Sequence, residues 1–165
     1  GVRVGAYHRA FASDPGTEID GVEGAKLDAR QEANLFASVV GQLRGRDLRP
    51  ALDVETPFTD LDELELRAWI KAWLSRVERK LGSKPIIYTN NSSWQATGDT
   101  TAFALDGHPL WVANFGVPSP LVPAANWAGK GWTIWQYTSI GHVRGIAGNV
   151  DKNKLARGFG KIKAH

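Results

Sequence analysis

Residues 50–57 read PALDVETP, a short apolar run that ends in two acids, Asp53 and Glu55, with a proline on either side. In a strand, residues two apart project from the same face. The two carboxylates therefore stand together, about 6.6 Å apart along the chain. Burying two like charges is costly, and one of the pair is pushed towards its protonated form. A proton donor beside a permanent anion is what cleavage of a glycosidic bond requires. The motif D-x-E is short, and taken alone it equally suits two acids that cap a turn or face solvent. The apolar lead-in Pro50–Leu52 and the strand-end position, where α/β folds build their sites, set this pair apart.

A second constellation is aromatic. Tyr7, Tyr88, Trp111, Trp135 and Tyr137 all fall on, or at the ends of, segments patterned as strands. Sugars present apolar faces that pack on such rings while their hydroxyls bond to polar neighbours. Trp69 and Trp73 sit at helical spacing and are expected in the core, whereas Trp111 and Tyr137 suit either role. His8 follows Tyr7 and, with Asp53, Glu55 and Asp151, offers a different arrangement, a divalent-metal site. No H-x-H or H-E-x-x-H spacing accompanies it. His108, His142 and His165 fall in loop or tail segments.

These side chains need a sheet to hold them. VRVGAY (2–7), ALDVE (51–55), KPIIYTN (84–90), PLWVANF (109–115) and GWTIWQYTS (131–139) read as strands, and GNVDKN (148–153) as a short strand or turn. Residues 24–44 read as a helix with Leu27, Leu35, Phe36, Val39, Val40 and Leu43 largely on one face. A clearer helix starts at Thr59, its expected N-cap, with Asp60, Asp62 and Glu63 in the first turn. It continues through Leu66, Trp69, Ile70, Trp73, Leu74, Val77 and Leu81, and Gly82 closes it. Arg76, Arg79 and Lys80 near its end suit the helix dipole. Residues 92–104 suit a short helix, and VPSPLVP (117–123) is a loop. Apolar strands separated by helices imply a largely parallel sheet with both faces covered. Six such strands fit an α/β barrel or an open sheet. At 165 residues the chain suits one domain but is short for an eight-stranded barrel, which typically takes about 200 or more.

The chain has no cysteine, which excludes disulfides and thiolate metal sites. No run of about 18 apolar residues reads as a membrane-spanning helix, and no signal-peptide pattern is present. The net charge of +3 is mildly basic. The excess gathers in Lys152, Lys154, Arg157, Lys161 and Lys163, a stretch that reads as a solvated helical tail or as an attraction for a polyanion such as an acidic cell wall or nucleic acid. No nucleic-acid-binding motif accompanies it.

GAYH, PALDVE, IIYTN, LWVANF, WQYTS and NVD follow one another from Gly1 to about Asn153, and in this order they resemble the glycoside hydrolase family 25 muramidases. The resemblance implies an α/β fold, an irregular TIM-like (βα) barrel of five βα units followed by three further strands, helix-poor in its C-terminal half. It implies a barrel domain over 1–153 and a basic tail over 154–165. The implied activity is cleavage of the β-1,4 bond between N-acetylmuramic acid and N-acetylglucosamine in bacterial peptidoglycan, with no cofactor and no metal. Glu55 matches the general acid and base, Asp53 its partner beside the substrate's 2-acetamido group, and Asp151 the aspartate of the closing strand. Tyr7, Tyr88, Trp111, Asn114, Gln136 and Tyr137 match positions that hold the sugars. The implied setting is the bacterial wall, reached by secretion or by phage release, without nucleic acid and without membrane insertion.

The chain also departs from the pattern. The family's opening G-I-D-V-S strand and its K-A-T strand do not occur, so Gly1 matches a point before the third barrel strand, and the resemblance implies a barrel truncated at its N-terminus. The first-strand aspartate is absent with it. Arg9 stands where an aromatic residue usually follows Y-H. Six strands leave two open sheet edges, which invite self-association. A fragment of a longer enzyme, a pair of copies and a shortened relative all fit this pattern. Two rival functions accompany the muramidase: a non-catalytic peptidoglycan-binding module on the same scaffold, and a metal-dependent hydrolase using His8 and the acids.

Overall fold

Alternation along four residues organises the molecule: Leu52 and Val54 pack into the main apolar core, while Ala51 belongs to a small separate cluster on the other face of the sheet. The computed structural model describes residues 2–16, 18–19, 22–58 and 60–164. In chain order the elements are β1 (Tyr7–Arg9), β2 (Glu18–Ile19), β3 (Val22–Glu23), α1 (Gly24–Val40), β4 (Ala51–Val54), α2 (Glu63–Leu81) and β5 (Ile86–Asn90). Then come α3 (Asn91–Trp94), α4 (Ala102–Leu105), β6 (Leu110–Ala113), α5 (Pro123–Ala128), β7 (Ile134–Gly141) and β8 (Val150–Leu155).

Six strands form one curled mixed sheet in the order β1-β4-β5-β6-β7-β8, and β2 with β3 makes a separate antiparallel ribbon. Pairing is parallel from β1 through β7 and antiparallel between β7 and β8. The α/β class agrees with the strand–helix alternation in the sequence. The sheet describes half of a barrel, with β1 and β8 at its two ends among the described residues.

Helix α2 is built as its pattern requires. Leu66, Trp69, Ile70, Trp73, Leu74 and Val77 are buried, and Gly82 ends the helix in the left-handed region at φ 66°. Its N-cap is Asp62, whose side chain accepts from the backbone N–H groups of Leu64 and Glu65, while the Glu65 carboxylate accepts from the Asp62 N–H in return. Thr59, the expected cap, lies outside the described residues; the reciprocal box needs a side chain as long as Glu or Gln three residues on, which Asp62 has in Glu65. We expect Asp62→Ala to cost about 1–2 kcal/mol in urea unfolding, since it orphans two helix donors.

Helix α1 differs more. It stops at Val40, where Gly41 turns left-handed at φ 66°, four residues short of the expected end. Its buried face is Ala25, Leu27, Ala29, Ala33, Phe36 and Ala37, so Leu27 and Phe36 point inward as expected, whereas Leu35 and Val39 are exposed at 65% and 78%. The reason lies in the facing helix. Trp69 and Trp73 of α2 are fully buried, and interiors pack to constant density, so α1 presents alanines to the indoles. Phe36 meets Trp73 at 5.2 Å between ring centroids, and the Trp69 indole N–H donates to Asp28 at 2.7 Å.

The second half is helix-poor. The expected helix over 92–104 is divided into α3, a 3-10 turn at Gln95–Thr97 and α4, because Gly98 and Asp99 both take positive φ. The expected helical tail is also not observed. A single 3-10 turn at Phe159–Lys161 is followed by a return to the body, where Ile162 and Ala164 are buried and Leu48 bridges Lys163. His108 lies in the loop between α4 and β6, as expected, and is buried there with Nδ1 2.9 Å from the Pro85 carbonyl. No helix among the described residues is long and apolar enough to cross a membrane.

Candidate active site

The strands place their inward-facing side chains in rows. Parallel pairing sets Asp53 opposite Tyr88 on β5 and opposite Arg9 on β1, and Tyr88 opposite Trp111 on β6. Gln136 on β7 lies across from Asn153 on β8. Glu55 is the first residue past the end of β4, two beyond Asp53. These ends surround a cleft of about 240 Å³ lined by Tyr7, Asp53, Glu55, Tyr88, Trp111, Gln136 and Asp151.

Each wall is held by its neighbours. The Tyr88 hydroxyl donates to Gln136 Oε1 at 2.9 Å, and its ring meets Trp111 edge-on at 5.1 Å. The Trp111 indole N–H donates to Asn153 Oδ1 at 2.8 Å. Burial and the three surrounding acids Glu55, Asp53 and Asp151 push the Tyr88 hydroxyl pKa up, so it remains a hydrogen-bond donor across the working pH range. Asn90 caps α3 through Oδ1 and reaches Glu55 Oε1 with Nδ2 at 3.4 Å. The Ser93 hydroxyl accepts from the Thr56 N–H at 3.2 Å, which ties the segment after Glu55 to the same helix start.

Asp53 carries the unusual electrostatics. It is 8% exposed, and its Oδ1 has no hydrogen-bond partner among the described residues. Burial first, and then the charge of Glu55, raise its pKa from 3.8 to about 6, against smaller opposing pulls from Arg9 and His8. Burial acts on Asp53 because it is the member of the pair set deeper in the sheet.

Two of the nine expected residues lie outside the cleft. The Asn114 side chain accepts from the Leu121 N–H at 2.8 Å, and its carbonyl accepts from the Trp135 indole, so it shapes the loop after β6. Tyr137 follows Gln136 and therefore faces the other side of the sheet, packed on Trp135 with the Lys154 ammonium 5.0 Å from its ring centroid. His8 is turned away by the same alternation. It bonds Glu32 at 2.5 Å and stacks on Trp73, so it does not join the acids in a metal set. Among the described residues, no three histidines or acids are grouped to hold a metal ion. Arg9 and Asn153 were not among the expected site residues. Period-two spacing from Tyr7 would have placed Arg9 on the inner face. Nothing in the sequence announces that Asn153 anchors Trp111, which depends on the β7–β8 register.

The sequence model of Glycosyl hydrolases family 25 matches residues 1–146. This chain belongs to glycosyl hydrolase family 25. Among curated relatives, Lysozyme M1 of Streptomyces globisporus is 34% identical over 132 residues, covering 75% of this chain and 44% of that protein. The N,O-diacetylmuramidase of a Chalaropsis species is 36% identical over 104 residues, covering 59% and 48%. The crystal structure of the bacterial lysozyme from Streptomyces coelicolor superposes with a TM-score of 0.75 at 32% identity, over 93% of this chain and 67% of that one. The chain thus spans about half the length of the curated relatives it matches.

Proposed function

We propose that this chain is a peptidoglycan hydrolase that cleaves the β-1,4 bond between N-acetylmuramic acid and N-acetylglucosamine. The observation that carries this reading is the Asp53–Glu55 pair, with a buried, unpartnered Asp53 oxygen at the floor of a cleft walled by Tyr88, Trp111 and Gln136. Membership of family 25, and relatives named as a lysozyme and an N,O-diacetylmuramidase, support the substrate class.

In this reading Glu55 donates its proton to the glycosidic oxygen as the bond to the leaving sugar breaks. The substrate's own acetamido carbonyl oxygen attacks the anomeric carbon and closes a five-membered ring. Asp53, ionised, accepts the acetamido N–H through its unpartnered oxygen and stabilises the positive charge that develops. The Glu55 carboxylate then takes a proton from water, whose oxygen opens the ring and restores the original configuration. Substrate-assisted schemes of this kind are an established exception to the two-carboxylate rule. Tyr7, Trp111 and Tyr88 supply stacking surface, Gln136 polar contacts, and Asp151 a further carboxylate on the cleft's far side.

The test is incubation of the 165-residue chain with purified, acetylated peptidoglycan and mass spectrometry of the soluble products. Fragments ending in reducing N-acetylmuramic acid are expected. Fragments ending in reducing N-acetylglucosamine would assign a different bond. Sedimentation with the wall but no release would turn the assignment to a binding module.

A further inference from the structure

Three of the residues that line the cleft are acids, Asp53, Glu55 and Asp151, and none is a cation. Arg9 stands at the rim of the same cleft. Its side chain leaves β1 on the face that carries Tyr7, whereas His8 between them turns the other way to Glu32. The β1–β4 register sets Arg9 beside Asp53, on strands about 4.8 Å apart. The Ala10 N–H donates to the Asp53 carbonyl at 2.9 Å and holds that register at the strand ends.

Arg9 is exposed, and among the described residues it donates no hydrogen bond and joins no ion pair. Its charge acts on Asp53 through space, without a bond between them. The acids that α1 sends towards β1 and the loop after it are engaged elsewhere. Glu32 is held by His8 and the Phe11 N–H, and Asp28 by the Ser13 N–H and the Trp69 indole. A guanidinium presents five N–H donors in a planar fork that matches a carboxylate. At Arg9 that fork is open to solvent beside an acid-lined cleft.

N-acetylmuramic acid differs from N-acetylglucosamine by a lactyl ether that ends in a carboxyl group. The ether sits on the ring carbon next to the one that bears the acetamido group. With Asp53 holding the acetamido N–H, the lactyl arm projects to one side of Asp53 along the sheet. On the β5 side stand Tyr88 and Trp111, with the Tyr88 hydroxyl given to Gln136. On the β1 side stands Arg9. We propose that Arg9 is a specificity-determining residue that binds the carboxylate carried by the lactyl arm, either the lactyl carboxylate itself or that of a peptide attached to it. Placing the sugar in this way rests on the hydrolase reading. The cleft acids repel an anionic arm and the Arg9 fork draws it in, so one ring orientation and one sugar type are selected.

The test is NMR titration of the full chain with the disaccharide N-acetylglucosaminyl-N-acetylmuramic acid, which contains no bond of the kind proposed to be cleaved. Its lactyl arm is supplied as the free acid, as the neutral methylamide and as the alanine conjugate, whose carboxylate lies one residue further out. At least one anionic form is expected to bind about fivefold tighter than the methylamide, a factor suited to an ion pair open to solvent. Which form does so identifies the carboxylate. Arg9→Gln removes this preference and reverses its sign, because the three acids remain, while the methylamide binds as it does to the parent. Arg9→Lys keeps the charge and part of the preference. Lys71→Gln, on the exposed surface of α2, removes an equal charge and leaves the preference intact. Equal binding of anionic and neutral forms by the parent, a preference that survives Arg9→Gln, equal weakening of all three forms by Arg9→Gln, or no binding of any form overturns the assignment. None of these outcomes involves bond cleavage, so the peptidoglycan-release assay judges the hydrolase reading separately. A parent that releases fragments yet ignores the lactyl charge keeps that reading and loses the role of Arg9.

Discussion

Glu55→Gln leaves a folded protein whose release of peptidoglycan fragments falls by about a thousandfold or more. General acid–base groups contribute about 10²–10⁴ each, and in the scheme above Glu55 serves both steps, so the upper part of that range applies. The fold is expected to survive because Gln is isosteric and keeps an oxygen for the 3.4 Å contact from Asn90. Its melting temperature stays within about 2 °C of the parent, as for substitutions away from core packing. Glu55→Asp separates chemistry from position. It keeps an acid but withdraws it by a methylene, and a displacement of about 1 Å costs about 10². Turnover of purified peptidoglycan, followed by reducing-end formation, measures both. If Glu55→Gln cleaves at more than about a tenth of the parent rate, Glu55 is not the proton donor.

Asp53→Asn is expected to make the protein more stable and less active at once. The Asp53 pKa is raised from 3.8 to about 6, so the folded chain holds a proton there that the unfolded chain has released. Between about pH 4 and pH 6 the folded state therefore binds more protons, and this group's contribution to stability falls as pH rises through that window. Above about pH 6 the full cost of the buried anion is present. Below about pH 4 both states are neutral at this position and the cost is gone. The displacement corresponds to at most about 3 kcal/mol, and we expect the Asn variant to gain about 1–3 kcal/mol at pH 7 and nothing near pH 4. Urea unfolding at the two pH values measures this. Activity moves the other way, because the amide cannot stabilise developing positive charge, and the parent's kcat/KM should decline below about pH 6 as Asp53 takes up its proton. The two acids are also coupled: the Glu55 charge raises the Asp53 pKa, so Glu55→Gln should lower it in a carboxyl NMR titration. A variant at Asp53 that is no more stable at pH 7 than at pH 4, relative to parent, would show that its carboxyl is not strained by burial.

Much of this was open to reading in one dimension. Period-two alternation places Asp53 and Glu55 on one face of β4 and sends Leu52 and Val54 to the other. The i, i+3, i+4 spacing of Leu66, Trp69, Ile70, Trp73, Leu74 and Val77 identifies the buried stripe of α2. Both patterns are local, because side-chain direction follows from the backbone repeat alone. The same rule, applied one residue further, turns Tyr137 and His8 away from the cleft.

The remainder depended on contacts between segments far apart in the chain. Which face of α1 is buried was settled by two indoles on α2, about forty residues away: the Trp69 donor and its acceptor Asp28 are separated by 41 positions. The cap of α2 required a reciprocal bond and not merely a polar residue before an apolar run. The basic end of the chain looked like one charged tail until Ile162 and Ala164 were buried and Arg157 and Lys161 were carried to a hollow formed by four strand ends. The Asp53 pKa needed the depth of the sheet around it. Residue type and period determined which side chains could do chemistry and which way they point. The packing of distant segments decided their burial and their charged neighbours, because desolvation and volume exclusion act through space and carry no signature in sequence spacing.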